Sequence, residues 1–546
     1  KYVSVAPDFK QKYVDVAEKK TMTNLKHKKL PVGIQSFQEM REEGYAYIDK
    51  TDQVWYMVNR GDKYNYLSRP RRFGKSILVD TLQMYLEGRK ELFEGLKIME
   101  LEHDWTKHPV IRLDMSEGGD TAFEIESYLN NIFKKYEKLY SIISTKEDSL
   151  TVRLSNIIEA AYEQTGQRVA VLIDEYDSPL QHSWNTTEHE GCTKVYRNVF
   201  AVLKSATKYE KFVFITGITK FTQISLFSVL NNLTNISFLP EYATICGITE
   251  QEITEHFSEE ISVLAKNNGW TEQEAHDRLK EYYDGYHFCD TNMTDIYNPF
   301  SFINALKHKR VSNYWAASGA TSLLPKFVSN MELRLGKFNN CSILRNTLET
   351  SDVTAGGAEL FLYQSGYLTI KHADEFGYIL GFPNEEVKQA LYDMVLPTLT
   401  MRAESETESL QASLFRQLGT GQLDEAKKTL KALIADVPYS NKKLACMDME
   451  ERYRLIISSI LNAIGFRVDV ERMMANGRID IIASSNIYIY VIELKLKNNG
   501  GMAAAKKQII TNQYLEPFKA DKRKVIGLAV ELDENGKGLI DWDKVI

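Results

Sequence analysis

Apolar residues come first in short, closely spaced runs and only later in longer helical patterns. Between about 31 and 240 the runs Tyr64–Leu67, Val110–Met115, Val169–Ile173 and Phe212–Ile218 are separated by helical stretches. Such alternation predicts βαβ units around a parallel sheet, because strands buried on both faces read as unbroken apolar runs. From about 241 to 400 the spacing turns mainly helical and aromatic-rich, as in Tyr282-Tyr283-Asp284-Gly285-Tyr286. Residues 404–437 read as two amphipathic helices split near Gly419-Thr420-Gly421, and 441–546 as a helix, a β-hairpin, a helix and a final strand Val525–Val530. The Lys-rich, polar residues 1–30 predict an extension rather than part of a core.

Composition changes this picture little. The 546 residues suffice for three or four domains of ~150 residues, and 43% hydrophobic with 26% charged residues is ordinary for a well-cored soluble protein. Five cysteines without CxxC or CxH spacing argue against a zinc site or disulfide framework and lead us to expect a reducing, cytoplasmic setting. No apolar run reaches the ~18 residues of a membrane span, so no membrane partner is expected. The first residue is Lys1, not Met, which leaves a removed leader open. A net charge of −7 gives no global support for a nucleic-acid partner, yet its distribution is uneven. Residues 441–546 carry 17 Lys and Arg against 14 Asp and Glu, whereas residues 1–440 carry 50 against 60.

Two clusters carry chemistry. The strand ending at Leu67 runs into Ser68-Arg69-Pro70-Arg71-Arg72-Phe73-Gly74-Lys75-Ser76 and then into a helix. Strand, loop, GKS and helix form the context of a phosphate-binding loop. Backbone N–H groups would cradle phosphates, Lys75 would neutralise β/γ charge, and Ser76 would ligate Mg²⁺. The competing reading is a chance GKS at a helix start. Against it stands Val169–Glu175, an apolar strand ending in Asp174 and Glu175, where ligands bind in open α/β sheets. Asp174 is expected to hold Mg²⁺, Glu175 to polarise the attacking water, and Thr216, ending another strand, to sense the γ-phosphate. The plainer alternative makes the two acids helix caps and Thr216 an ordinary strand terminus.

These residues, with Asp174-Glu-Tyr-Asp-Ser-Pro-Leu180 and Thr216-Gly-Ile-Thr-Lys-Phe221, resemble the AAA-ATPase-like family found beside nuclease domains in bacteria and archaea. That family commonly has arginine where the first glycine of the loop would stand, so Arg69 fits it. The resemblance implies an ATP-binding AAA+/STAND-like core over 31–240 with a helical, winged-helix-like lid over 241–400. Arg69 is expected at the nucleotide with the rest of the loop, Arg71 and Arg72 could pair with phosphates or with a neighbouring subunit or merely face solvent, and an AAA+-like core raises the expectation of a homo-oligomer.

The second cluster is C-terminal. Ile487, Ile489, Val491, Glu493 and Lys495 share one face of a strand, and Asp480 lies on the strand before it. An apolar strand that ends in Glu and Lys must find partners for both. Two carboxylates holding Mg²⁺, with a lysine orienting water, suit phosphodiester hydrolysis; a Glu493–Lys495 ion pair on an edge strand is the alternative. Asp480-x₁₂-Glu493-Leu-Lys495, with Glu451 on a preceding helix and Gln508 on a following one, resembles the PD-(D/E)XK nuclease superfamily. The resemblance implies Asp480, Glu493 and Lys495 as the core, Glu451 as an added metal ligand and Gln508 near the site. Lys506, Lys507 and the run Lys519–Lys524, interrupted by Ala520 and Asp521, could meet phosphates and Tyr514 could pack on a sugar; the alternative is that Lys506 and Lys507 solvate a helix face. The expected whole is an α/β P-loop NTPase with parallel sheet and helical lid, a helical linker over 401–440, and a smaller α/β restriction-endonuclease-like domain over 441–546. Its expected cofactors are ATP and Mg²⁺ and its expected partner nucleic acid, DNA before RNA. An ATP-powered or ATP-regulated nuclease, plausibly a defence against foreign DNA, competes with a nucleotide-dependent signalling switch and with a scaffold whose nuclease fold is silent.

Overall fold

The computed structural model describes residues 29–145, 148–220, 233–317, 340–350, 357–400, 404–435, 448–474 and 476–545. All but the last two residues of the expected N-terminal extension lie outside them. Five strands build the first sheet: β1 (Tyr64–Ser68), β2 (Val110–Asp114), β3 (Val169–Asp174), β4 (Glu210–Gly217) and the short β5 (Thr234–Asn235), in the order β2-β3-β4-β1-β5. Every pairing is parallel. All six residues of β3 are buried, as are seven of the eight in β4, which is why both read as unbroken apolar runs. Helices between the strands are fixed locally: Thr121 and Glu124 form a reciprocal capping box on Ala122–Leu139, and Gly166 ends Leu150–Thr165 in a left-handed turn.

The described residues between 241 and 400 are mainly helical, and among them are two small sheets. β6 (Ile248–Thr249) pairs with β7 (Ile296–Tyr297), amid the helices Glu250–His256, Ser258–Asn268, Glu272–Tyr283 and Pro299–His308. β8 (Cys341–Leu344), β9 (Thr369–Ala373) and β10 (Gly377–Gly381) form an antiparallel sheet in the order β8-β10-β9, with two helices between β8 and β9. The helix Glu385–Thr400 then packs against Met449–Ala463.

The C-terminal sheet runs β11 (Arg467–Met474), β12 (Gly477–Ser484), β13 (Tyr488–Leu496), β14 (Lys524–Leu532) and β15 (Leu539–Val545) in sequential order. Only β13 and β14 are parallel, and the helix Gly501–Thr511 makes their crossover. The expected hairpin is thus β12–β13, and β11 and β15 are additions. One face of this sheet joins the large core that begins in the N-terminal sheet, and the other packs under Gly501–Thr511. The helices Glu404–Thr420 and Leu423–Ala435 are docked on this sheet: Tyr490 donates to the Leu418 carbonyl at 2.6 Å and Lys427 pairs with Asp541 at 2.7 Å. Among the described residues no helix is long and apolar enough to cross a membrane.

The phosphate loop is held against the 340–381 region where Gly366 meets Pro70. Gly366 has φ 89°, and a Cβ there would lie 2.5 Å from the Pro70 Cβ. Gly366→Ala is therefore expected to cost more than about 1 kcal/mol and to weaken nucleotide binding by displacing the loop. Thermal unfolding and a nucleotide titration test this, and an unchanged melting temperature would show that the contact bears no load.

Candidate functional sites

The first site sits at the carboxyl ends of β1 and β3, with β4 between them. Gly74, with φ 87°, caps the helix Lys75–Leu86, so the loop turns into the helix with N–H groups pointing outward. Lys75 is buried, and its ammonium donates to the Arg69 and Pro70 carbonyls at 3.0 Å each. Burial pushes its pKa down, against Glu175 and Asp174. Asp174 is 1% exposed; its Oδ1 accepts the Glu175 N–H at 2.9 Å, while Oδ2 is buried without a hydrogen-bond partner of ordinary geometry. Burial pushes the Asp174 carboxyl up to about 6, opposed by the Ser76 hydroxyl and the Lys75 ammonium. Glu175 stands at φ 44° and Arg72 at φ 66°, left-handed conformations costly for residues with a side chain and typical of ligand sites.

A cavity of about 370 Å³ opens here. It is lined by Arg71, Arg72, Gly74–Ile77 and Glu175 together with residues 31–35 and with Phe300, Ile303 and Asn304 of the helix Pro299–His308. The structure thus brings together Arg71, Arg72, Gly74, Lys75, Ser76, Asp174 and Glu175. Two expected groups are employed elsewhere. Arg69 is turned away: its guanidinium donates to the Ser68, Ser237 and Tyr242 carbonyls and lies 4.1 Å from the Phe288 ring centroid. Thr216 spends its hydroxyl on the Leu67 carbonyl at 2.8 Å, tying β4 to β1. Sequence reasoning also passed over Asp177, whose buried carboxylate accepts the Ile218 and Thr219 N–H groups and so clamps the end of β4 to the Asp174 loop.

The second site lies where β12 and β13 run side by side. Their register pairs Ile481 with Ile492, and one step further stand Asp480 and Glu493. Asp480 Oδ2 accepts the Leu494 N–H at 2.9 Å. Glu493 is 1% exposed, with Oε1 taking the Lys495 ammonium at 3.1 Å and Oε2 buried without a partner. Burial, and then the Asp480 charge, push its pKa up. Burial works against the Lys495 ammonium, but Glu493, Asp480 and Glu450 outweigh it and its pKa is raised.

Two expectations shift here. From the first turn of Met449–Ala463 the side chain that reaches Lys495 is that of Glu450, at 3.3 Å. Glu451 stands one helical position round, with its N–H on the Asp448 cap. Tyr514 is 1% exposed and cannot pack on a sugar. Its hydroxyl donates to the Arg478 carbonyl, two residues before Asp480, and accepts from Gln508 at 3.2 Å. Gln508 thus braces β12. Lys506 pairs with Asp543 and Lys519 with Glu516, so neither is left to solvent alone.

Among the described residues no three His, Cys, Asp or Glu side chains already converge on a point. Mg²⁺ fits such sites, because it commonly takes one or two carboxylates and keeps several waters. The unpartnered Asp174 Oδ2 and Glu493 Oε2 are the atoms such an ion would satisfy.

A parallel sheet with a glycine-lysine-serine loop and acidic strand end, followed by a mixed sheet with Asp, Glu and Lys, defines a P-loop NTPase joined to a nuclease-fold unit. Residues 31–227 match the AAA-ATPase-like family, described as a predicted AAA-ATPase, and residues 448–542 match the PD-(D/E)XK nuclease superfamily. A protein of Azotobacter chroococcum mcd 1, described as an uncharacterized protein in the vnfD 5′ region, is 30% identical over 543 residues, covering 95% of this chain and 99% of its own. The chain belongs to the same family as that protein, and in it a predicted AAA-ATPase domain and a PD-(D/E)XK nuclease superfamily domain share one polypeptide. Among solved structures, the Aeropyrum pernix ORC1 protein in complex with DNA is 11% identical, covering 64% of this chain and 93% of its own with a TM-score of 0.23. Cdc6p from Pyrobaculum aerophilum is also 11% identical, with coverages of 64% and 96% and a TM-score of 0.22.

The raised carboxyl pKa values have a sign. Folded Asp174 keeps its proton where the unfolded chain has lost it, so its contribution to stability falls as pH rises from about 4 to about 6. A bound cation favours the ionised form and removes that loss. Mg²⁺ should therefore raise the melting temperature at pH 7.5 and act much more weakly at pH 5, the gain being about 2.7 kcal/mol at a hundredfold excess over Kd. Thermal melts with and without Mg²⁺ at both pH values test this; equal shifts at both would contradict it.

Proposed function

We propose that the chain binds and hydrolyses ATP at the Lys75 site and, at the Asp480–Glu493–Lys495 site, cleaves nucleic-acid phosphodiesters, DNA in the first instance. The observation that carries this reading is shared by both sites: a buried carboxylate oxygen without a hydrogen-bond partner at a strand end, with a lysine beside it. In the first, the loop N–H groups and Lys75 hold phosphates, Ser76 and Asp174 would hold Mg²⁺, Arg71 and Arg72 face phosphate, and Glu175 orients water. The far end, lined by residues 31–35 and Phe300, takes the base. Arg69 supports the loop from behind, and Thr216 fixes the strand pair beneath it. In the second, Asp480 and Glu493 would hold Mg²⁺, with Glu450 and Glu451 at its border, and Lys495 orients the attacking water. The ion's part is to polarise the phosphate and lower the pKa of bound water. The accompanying organisation is an ATPase core over 31–240, a lid over 241–400 with a winged-helix-like 340–381 portion, a helical linker over 401–440 and a nuclease domain over 441–546. A cytoplasmic defence against foreign DNA is the setting this reading suggests.

A second reading, a nucleotide-dependent switch whose effector is the nuclease, draws support from a continuous path between the sites. The Trp315 indole N–H donates to the Arg71 carbonyl at 3.4 Å. The Tyr314 and Trp315 backbone N–H groups both donate to Glu386, at 2.6 and 2.8 Å. Glu386 begins the helix Glu385–Thr400, which packs on the helix carrying Glu450.

Lys75→Ala is expected to abolish nucleotide binding, and Glu175→Gln to keep binding while slowing turnover. Asp480→Ala and Glu493→Ala should remove cleavage and weaken metal binding, whereas Lys495→Ala should remove cleavage with metal binding nearly intact. Nucleotide titration, and incubation of plasmid, linear DNA and RNA with Mg²⁺ with and without ATP, test these outcomes. A wild type that cuts nothing under any nucleotide condition would leave only the fold.

Trp315→Phe removes one hydrogen bond but keeps the ring. On the coupled reading it leaves ATP and metal binding within about threefold, a cost of about 0.5–1 kcal/mol, yet reduces the dependence of cleavage on ATP. Cleavage rates with and without ATP, and mass measurement in both states, separate switch from motor. An unaltered ATP dependence would put the coupling elsewhere.

A further inference from the structure

One turn after Glu450, the same helix brings Arg454 to the C-terminal site. Its side chain is 11% exposed, and Nη1 lies 2.5 Å from Glu471 Oε1 and 3.6 Å from Asp480 Oδ1. Among the described residues, the guanidinium hydrogen-bonds through Nη1, to Glu471, and not through Nε or Nη2. Asp480 Oδ2 is occupied by the Leu494 N–H, so Oδ1 is the oxygen that faces the guanidinium, just beyond hydrogen-bond reach.

What holds Arg454 at that distance is Glu471. The β11–β12 register pairs Val470 with Ile481 and Arg472 with Ile479, which sets Glu471 opposite Asp480. Glu471 has φ 53°, a left-handed backbone in mid-strand for a residue with a side chain. Such strain persists where surroundings over-determine it, and it gathers at functional sites. Its Oε1 also receives Arg478 at 3.1 Å. A guanidinium paired bidentately with Asp480 would cancel the negative charge that a metal ion needs. Drawn instead onto Glu471, it meets Asp480 Oδ1 through a single long ion-pair contact in place of a bidentate, hydrogen-bonded one.

We propose that Arg454 is a substrate contact, donating its free edge to a non-bridging oxygen of the nucleic-acid phosphate, and that Glu471 is the positioning residue that keeps it off Asp480. A planar fork of donors suits a phosphate better than a point charge does. This rests on the nuclease reading and adds to it an opposition between two requirements. The cation that binds substrate disfavours the metal beside it, and Glu471 resolves the conflict.

The test uses the full-length protein, Mn²⁺ as probe in calorimetry, a labelled DNA duplex in Ca²⁺ for binding, and Mg²⁺ for cleavage. Arg454→Met should bind Mn²⁺ at least as tightly as wild type, yet bind the duplex more weakly and cleave about 100-fold more slowly, the scale of losing one transition-state donor. Arg454→Lys should recover part of the duplex affinity. Glu471→Gln frees the guanidinium to close on Asp480, and Mn²⁺ affinity should fall about tenfold, as for other outer-shell partners of metal ligands. Adding Arg454→Met to Glu471→Gln should restore it. A role in packing alone gives a different pattern: Arg454→Met and Glu471→Gln would weaken Mn²⁺ binding alike, and the double variant would be worst. That pattern, in a wild type that binds Mn²⁺ and cuts DNA, overturns the inference alone. If Arg454→Met does not fold, the half-exposed Glu471→Gln decides, because unchanged Mn²⁺ affinity there also overturns it. A wild type that neither binds Mn²⁺ nor cuts removes the nuclease reading and this inference with it.

Discussion

Carboxyl groups buried at the ends of largely apolar strands are the constraint on which this structure depends. Burying a charge that is not fully compensated costs several kcal/mol, and burial accordingly raises the pKa of both such groups, Asp174 at the end of β3 and Glu493 near the end of β13. Each has one oxygen satisfied from within the chain and one left buried without a partner. Lysine supplies part of the compensation, Lys75 from the loop and Lys495 from the same strand. The rest of each site is arranged to keep those lysines close without quenching the carboxylates. Lys75 is parked on the Arg69 and Pro70 carbonyls, and Lys495 is shared between Glu493 and Glu450.

The two sites are tied together by packing rather than by a tether. One apolar core runs from β1–β4 through β8–β10 to the near face of β11–β15. Burial of that kind is worth about 25 cal/mol per Å² of apolar surface, and it takes in residues of the helices Gly357–Gln364, Glu404–Thr420 and Leu423–Ala435, while the helices between 250 and 308 pack in a second cluster of their own. The aromatic cluster of Phe73, Tyr286 and Phe288 under the phosphate loop shows the same economy: Phe73 and Tyr286 meet edge-on at 4.7 Å, and Arg69 covers Phe288 from the other side. A shift in the loop must therefore be felt at Tyr286 and Phe288.

Much of this was legible in the chain itself, for identifiable reasons. β1, β3 and β4 are buried on both faces, so their runs of apolar residues could mean little else, and the acids at the end of β3 stood out. β5 was not legible because Thr234–Asn235 is two residues long. β11 hid because Arg467–Met474 alternates charged and apolar residues with most side chains exposed. No pattern in the chain shows that β4 lies between β1 and β3, since order in a sheet is a tertiary fact. Adjacent acids were equally opaque: Glu450 and Glu451 differ by one helical step, about 100°, and only the docking of Met449–Ala463 decides which meets Lys495. Arg69 was legible as part of the loop motif but not as its support, because the carbonyls it binds come from residues 168 and 173 positions away.

The central claim is that one chain holds two separate cation-demanding carboxylate sites, one that needs nucleotide and one that does not. Calorimetric titration of the full-length protein with Mn²⁺, with and without a non-hydrolysable ATP analogue, measures this directly. The account predicts one class of site without the analogue, lost in Glu493→Gln, and a second class that appears with it, lost in Asp174→Asn. A single class that ignores the analogue, or Mn²⁺ binding that survives both substitutions, would contradict it.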